Sequence, residues 1–255
     1  MVAVIAAGLG GLLVGSFANV VVYRVPRKQS IVRPGSACPS CGLPIAARDN
    51  IPVVSWVLLR GRCRRCGARI SGRYPLIELT TGVVFALVAA RVPGDTDLIA
   101  FLPFAWMLVV LSFIDLEHKL LPNVIVLPSI IVMAALLGIA AALGPGLDDW
   151  VRALLAGAAS FVAFLALAII SPRGMGMGDV KLAAALGMAL GYFSWSRVFV
   201  GFFLAFLAGA VGGLLLVAAK RAGMKAEVPF GPYLALGTLI AILWGQPIVD
   251  AWLGA

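Results

Sequence analysis

Charge is scarce in this sequence, and acidic charge most of all. Asp, Glu, Lys and Arg together make up 12% of the 255 residues, with 11 acids against 20 bases and a single histidine, His118. A soluble globular chain carries about 25% charged residues, so there is too little polar surface here to coat a soluble domain. An apolar share of 62% and a mean hydropathy of +1.06 also exclude disorder and a coiled coil. Cysteine is limited to four residues, too few for a small disulfide scaffold. No basic segment precedes the first apolar stretch, which starts at Val2, so it reads as a retained span rather than a signal peptide. The chain has no visible internal repeat and no GxGxxG dinucleotide unit. No serine in a recognisable nucleophile elbow partners His118, which is read as an interfacial side chain.

What is present is long apolar sequence. Seven or eight stretches can be drawn, and the working count of eight places them at roughly 2–22, 75–92, 98–114, 121–143, 150–170, 180–193, 198–219 and 230–252. A spanning helix needs about 20 apolar residues, and the sixth stretch, short and rich in Gly and Ala, is the weakest. The expected fold is an all-α polytopic membrane protein of about eight transmembrane helices with a small zinc-binding cytoplasmic loop domain. The expected division is a first helix at 1–22, the loop domain at 23–74 and a seven-helix membrane domain at 75–255.

Basic residues orient these spans. The segment 23–74 carries Arg24, Arg27, Lys28, Arg33, Arg48, Arg60, Arg62, Arg64, Arg65, Arg69 and Arg73. Loops on the same side add Lys119, Arg173, Lys181, Lys220, Arg221 and Lys225, while the other side holds only Arg91, Arg152 and Arg197. An excess of Lys and Arg marks the cytoplasmic face. Both termini are therefore expected outside the cytoplasm, with the large loop inside. The net charge of +9 is read as this bias together with contact to anionic lipid, not as a nucleic-acid footprint.

All four cysteines fall in that loop, as Cys38-Pro-Ser-Cys41 and Cys63-Arg-Arg-Cys66. Each C-x2-C pair can offer two thiolates to one tetrahedral ion. The cytosol disfavours disulfides, and a loop this small has little core and needs a staple. Cys38, Cys41, Cys63 and Cys66 are therefore expected to hold a structural Zn2+, with no open position for catalysis. Beyond them, Glu78 sits just inside the second apolar stretch, where it either stabilises the first turn of a helix or contacts substrate or cofactor.

Two acids border apolar spans on the cytoplasmic side: Asp115, closing Leu111-Ser112-Phe113-Ile114-Asp115, and Asp179, in Gly176-Met177-Gly178-Asp179. Ionisable residues at such positions are costly and mark function. Two adjacent carboxyls share a proton. The ionised one can take a proton from water while the protonated one polarises a peptide carbonyl, which is the apparatus of aspartyl proteolysis. Asp179 near a helix N-terminus is expected to be the base and Asp115 near a C-terminus the proton carrier. A cation transporter or channel using the same two acids is the alternative.

The sequence resembles the type IV prepilin peptidases, membrane aspartyl peptidases of the GxGD type. The blocks that carry the resemblance run nearly end to end: Gly15 to Pro26, the double CxxC, Asp49 to Trp56, Leu59 to Cys63, Ser71 to Glu78, Asp115 with Leu121-Pro122-Asn123, Gly176 to Leu182, and Pro229 to Tyr233. Asn123 departs from the pattern, since members often carry Asp there. The resemblance implies Asp115 and Asp179 as the catalytic pair. It also implies cleavage of prepilin and pseudopilin leaders at the cytoplasmic face of the bacterial inner membrane, in type IV pilus and type II secretion systems. N-methylation of the new N-terminus with S-adenosylmethionine is implied as well, at a site the sequence does not mark. Prepilin helices and lipid are the implied partners.

Overall fold

The computed structural model describes residues 1–144, 146–171, 174–219 and 229–253. Arg173, Lys220, Arg221 and Lys225 of the charge pattern lie outside the described residues. Among those described, nine α-helices form and no extended strand: α1 (Val2–Arg24), α2 (Val54–Leu58), α3 (Arg73–Arg91), α4 (Leu98–His118), α5 (Asn123–Leu143), α6 (Leu147–Ile170), α7 (Met177–Phe193), α8 (Trp195–Ala218) and α9 (Gly231–Leu253). Seven of them are long and apolar enough to cross a membrane. Backbone polar groups in lipid must be satisfied within the segment, which restricts an apolar chain of this kind to helices. The chain is a multi-pass membrane protein.

The expected sixth stretch is α7. At 17 residues, about 25 Å, it is the one long helix outside those seven, and every residue from Leu182 to Tyr192 is buried.

Two compact units divide the chain, Met1–Ala90 and Arg91–Ala255. In the first, α1 lies on α3 through a face of small residues. A Cβ on Gly15 would come within 2.9 Å of the Glu78 Cα, so only glycine permits this approach. The Asn19 amide then reaches across, its Nδ2 donating to the carbonyls of Gly15 (3.3 Å) and Tyr74 (3.1 Å). The segment between α1 and α3 folds within this same unit.

In the second unit α7 is the central helix, packed on α5, α6, α8 and α9. Its Gly187 meets the Ala156 carbonyl of α6, where a Cβ would stand at 2.7 Å. Without a hydrophobic drive between helices in lipid, small residues that let backbones approach are what hold such pairs. The C-terminus of α7 is capped from α6. The Arg152 guanidinium donates to the carbonyls of Gly191 (2.7 Å) and Phe193 (3.0 Å), as well as to that of Tyr192. A cation at this end also answers the helix dipole. Nearby, the Tyr192 hydroxyl donates to the buried Asp97 at 2.9 Å.

Candidate active site and metal centre

Asp115 is carried by the last turn of α4. That helix stops at Lys119, whose backbone turns left-handed (φ 50°, ψ 46°) and whose N–H returns to the Asp115 carbonyl at 2.8 Å. The chain then crosses Leu121 and Pro122 and restarts as α5 at Asn123. Asp179 lies in the first turn of α7, behind Gly176 at the N-cap. The sequence separates the acids by sixty-four positions. The fold brings their carboxylates close enough to interact electrostatically.

Glycines make this juxtaposition possible. A Cβ on Gly178 would stand 2.8 Å from the Leu121 Cβ, so the start of α7 can lie against the α4–α5 turn only without one. A Cβ on Gly231 would stand 2.8 Å from Asp115 Oδ2. In its absence the Gly231 N–H, at the start of α9, donates to that oxygen at 2.9 Å. Lys181 of α7 donates to Asn123 Oδ1 at 3.0 Å, tying the first turns of α7 and α5 together. Asp115 is buried and Asp179 half-buried, and Asp179 Oδ1 has no hydrogen-bond partner among the described residues.

The distinction drawn from helix dipoles does not survive this geometry. Asp179 does sit at a helix N-terminus, and Asp115 at the C-terminal end of its own helix. Yet the Asp115 carboxylate also faces the N-terminus of a second helix, α9. Both acids therefore receive the favourable end of a dipole, and the division into base and proton carrier loses its basis. Nothing in the sequence near Asp115 signalled this, because Gly231 lies 116 residues further along.

The four cysteines do come together. The Sγ atoms of Cys38, Cys41, Cys63 and Cys66 all lie within 4.8 Å of one another, with Cys38 and Cys66 at 3.8 Å. Four sulfurs at about 2.3 Å from a tetrahedral Zn2+ stand roughly 3.8 Å apart, so the cluster fits that ion. The two knuckles are built alike. The N–H groups of Gly42 and Gly67 return to the carbonyls of Cys38 and Cys63 (2.8 and 2.9 Å). Both glycines take φ near +70°, a turn that side chains resist. The glycine after each C-x2-C was a readable signal of this turn. Amide N–H groups of Cys41 and Ser40 aimed at the Cys38 sulfur lower its pKa to about 6. The Ala68 amide acts the same way on Cys66, but burial and the three other sulfurs outweigh it and push that thiol up to about 11. Sulfurs that crowd one another in this way relieve the strain by sharing a cation.

Side-chain ties complete the loop. Arg64 grips Asp49 with three hydrogen bonds of 2.7 to 3.0 Å, which holds that carboxyl below the usual carboxylate range. Trp56 of α2 donates from Nε1 to the Ile70 carbonyl at 3.2 Å. Glu78 is buried, and its Oε2 accepts the Val53 N–H at 2.7 Å. It therefore stabilises a turn brought from the loop rather than its own helix. His118 lies 3.9 Å from Glu117 in the last turn of α4.

Comparison with known proteins adds to this geometry. The profile of the bacterial peptidase A24 N-terminal domain matches residues 9–92, and that of the type IV leader peptidase family matches residues 102–214. A prepilin leader peptidase/N-methyltransferase of Aeromonas salmonicida is 36% identical over 96% of this chain and 92% of its own length. The protein of the same description from Pseudomonas aeruginosa is 37% identical over 95% and 91%. The one from Bacillus subtilis is 33% identical over 95% of each chain. No solved structure matches.

Proposed function

The chain belongs to the type IV leader peptidase family, and from that premise we propose that it is an aspartyl endopeptidase of the bacterial inner membrane. It removes the leader of prepilins and pseudopilins and methylates the new N-terminus. The alternative of cation transport finds no support in the relatives. The observation that carries the peptidase reading is the meeting of Asp115 and Asp179, delivered by α4 and α7 to one place.

The two carboxyls share one proton, since two charges within electrostatic reach of each other in a partly buried site are costly. The ionised carboxylate takes a proton from water, and the protonated one donates to the scissile carbonyl. Asp179 Oδ1, an acceptor without a partner, is available to that water. The Gly231 N–H holds Asp115 in a fixed orientation, so little reorganisation accompanies proton transfer. The substrate's apolar helix lies in the bilayer and presents its scissile bond at the cytoplasmic edge. Both termini stand outside the cytoplasm, as the loop charges require.

Cys38, Cys41, Cys63 and Cys66 hold one Zn2+ that staples the loop, and with four sulfur ligands it takes no part in catalysis. S-adenosylmethionine supplies the methyl group for the second activity. The peptidase reading is tested with Asp115→Asn and Asp179→Asn and a prepilin substrate in detergent. Each variant should insert and bind zinc normally yet lose cleavage by at least a thousandfold. Substantial cleavage by either would remove the pair from the mechanism.

A further inference from the structure

The first unit contains a second carboxylate centre that proteolysis does not use. Only two acids lie within residues 1–90, Asp49 and Glu78, and no histidine does. Asp49 is held by Arg64. Glu78 is 7% exposed, set in α3 against α1, where the Ser16 hydroxyl also reaches its carboxylate. Asn19 of α1, 2% exposed, reaches α3 one turn before Glu78, at the Tyr74 carbonyl. Its Nδ2 is spent on two carbonyls, and its Oδ1 has no hydrogen-bond partner. A buried carboxylate and an orphaned amide oxygen are both acceptors. Together they ask for a donor with several N–H groups.

The backbone over Glu78 is strained. Val53 stands at φ 61°, ψ −52°, and the Val54 N–H closes back on the Pro52 carbonyl at 2.6 Å. This is the γ-turn with a positive-φ centre, rare and strained, and here the centre is a β-branched residue, for which φ above zero is an outlier. Its N–H is the group bound to Glu78 Oε2. Strain of this kind persists where the surroundings enforce it, and it clusters at functional sites. Relaxation of Val53 would withdraw the N–H and leave Oε2 open to another donor.

We propose that Glu78, with Asn19 Oδ1, binds the new N-terminal ammonium of the cleaved substrate and takes its proton for methyl transfer. This rests on the methyltransferase half of the proposed function. An α-amino group has an ordinary pKa of about 7.7–8.0, so most of it is protonated near neutrality and has no lone pair for attack. The Glu78 carboxylate accepts one ammonium proton. The freed nitrogen lone pair forms the N–C bond to the methyl carbon of a sulfonium donor, while the C–S pair stays on sulfur. The products are a protonated Glu78, a secondary ammonium and a neutral thioether. The ammonium's remaining N–H groups are held by Asn19 Oδ1 and by the second carboxylate oxygen. The charged or titratable side chains nearest this centre in sequence are Tyr74 and Arg73 on α3, Tyr23 and Arg24 on α1, and Arg48 and Asp49 before Val53; the Arg73 guanidinium lies against the rings of Tyr23 and Tyr74.

The test uses Glu78→Gln and Glu78→Asp in the full-length protein. Gln keeps the size and an acceptor for the Val53 N–H but not the basicity. With a prepilin substrate and S-adenosylmethionine at pH 6.5, mass spectrometry should show Glu78→Gln cutting the leader while methylation falls at least a hundredfold. Raising the pH to 9.5 should restore much of that loss, because the amine then sheds its own proton. Glu78→Asp should keep part of the methylation at pH 6.5. Without any methyl donor, the wild type should hold the mature peptide at least tenfold more tightly than its N-acetylated form, and Glu78→Gln should lose that preference. Methylation by Glu78→Gln within threefold of wild type overturns the proposal. So does equal loss in both variants without recovery at high pH, and so does parallel loss of cutting and methylation, which would assign Glu78 to folding. A wild-type protein that cuts but never methylates would instead defeat the methyltransferase reading itself.

Discussion

Gly231→Ala is the sharpest perturbation of the proposed proteolytic centre, because it adds one carbon and removes no functional group. The new Cβ would stand 2.8 Å from Asp115 Oδ2 and 3.3 Å from Leu121 Cδ2. Ordinary contact begins at 3.4 Å, so the carboxylate has to retreat by about 0.6 Å or α9 has to shift by as much. A misplacement of about 1 Å costs roughly a hundredfold in rate, which makes about tenfold the expected share of the displacement. The same shift lengthens the Gly231 N–H bond to the carboxylate, a bond of the charged kind worth about 1.5–3 kcal/mol. Cleavage by Gly231→Ala should therefore fall by about tenfold to a thousandfold in kcat. The assay is leader removal at saturating substrate, followed by gel shift or mass spectrometry. Gly213→Ala is the control, since a Cβ there meets nothing within 4 Å, and it should cleave within twofold of wild type. If Gly231→Ala also cleaved within twofold, the Gly231–Asp115 contact would have no catalytic weight, and the pre-orientation of Asp115 described above would be wrong.

Three further outcomes are expected. Cys63→Ser should abolish stoichiometric zinc and expose the 23–74 loop to protease, since structural zinc supplies roughly 10–16 kcal/mol to small domains that depend on it. Unchanged metal content and protease resistance would remove the staple. Arg152→Ala strips the cap from three carbonyls at the end of α7 and should lower stability by about 1.5–3 kcal/mol, read as a lower thermal midpoint in detergent. A midpoint equal to wild type would show that solvent or lipid headgroups satisfy those carbonyls equally well. Val53→Gly removes the steric cost of φ 61° while keeping the N–H to Glu78. It should stabilise the protein by about 1 kcal/mol, and a lower midpoint would mean that the valine side chain contributes packing that outweighs the strain.

Most of the helices were legible because long apolar runs have few alternatives in lipid. α5, α6 and α9 begin or end within a few residues of the stretches drawn from composition. The cluster of four cysteines was legible from C-x2-C spacing, which fixes geometry locally. The features that escaped depend on chain segments meeting from afar. Asp115 takes its N–H from Gly231, and Glu78 takes its own from Val53, 25 residues before it. The donors in these bonds are backbone amides, which every residue but proline offers, so nothing in the sequence pairs Gly231 with Asp115 or Val53 with Glu78. α4 also runs past 114 to His118, which places Asp115 inside the last turn rather than at its end. Lys119 makes that difference, by supplying a left-handed stop that its residue type does not announce.

The weakness of the sixth apolar stretch is itself part of how Asp179 is accommodated. A helix facing lipid needs bulky apolar side chains, and α7 instead carries Ala and Gly along a length that is buried throughout. It touches protein on its several sides, so its low apolarity follows from its neighbours being α5, α6, α8 and α9 rather than acyl chains. The acid at its start consequently lies beside backbone amides and within electrostatic reach of Asp115, and the insertion cost of an exposed membrane aspartate does not apply in full. Short length serves the same end. Arg152 fixes the far terminus of α7 by its carbonyls, and Gly178 seats the near terminus against Leu121, so both ends of the helix are pinned. Asp179 then stands at a depth set by protein contacts, opposite Asp115 at the end of a helix that is itself stopped at Lys119. The electrostatic reach between these two acids comes from pinned helix ends, and the short helix that carries Asp179 is enclosed by α5, α6, α8 and α9.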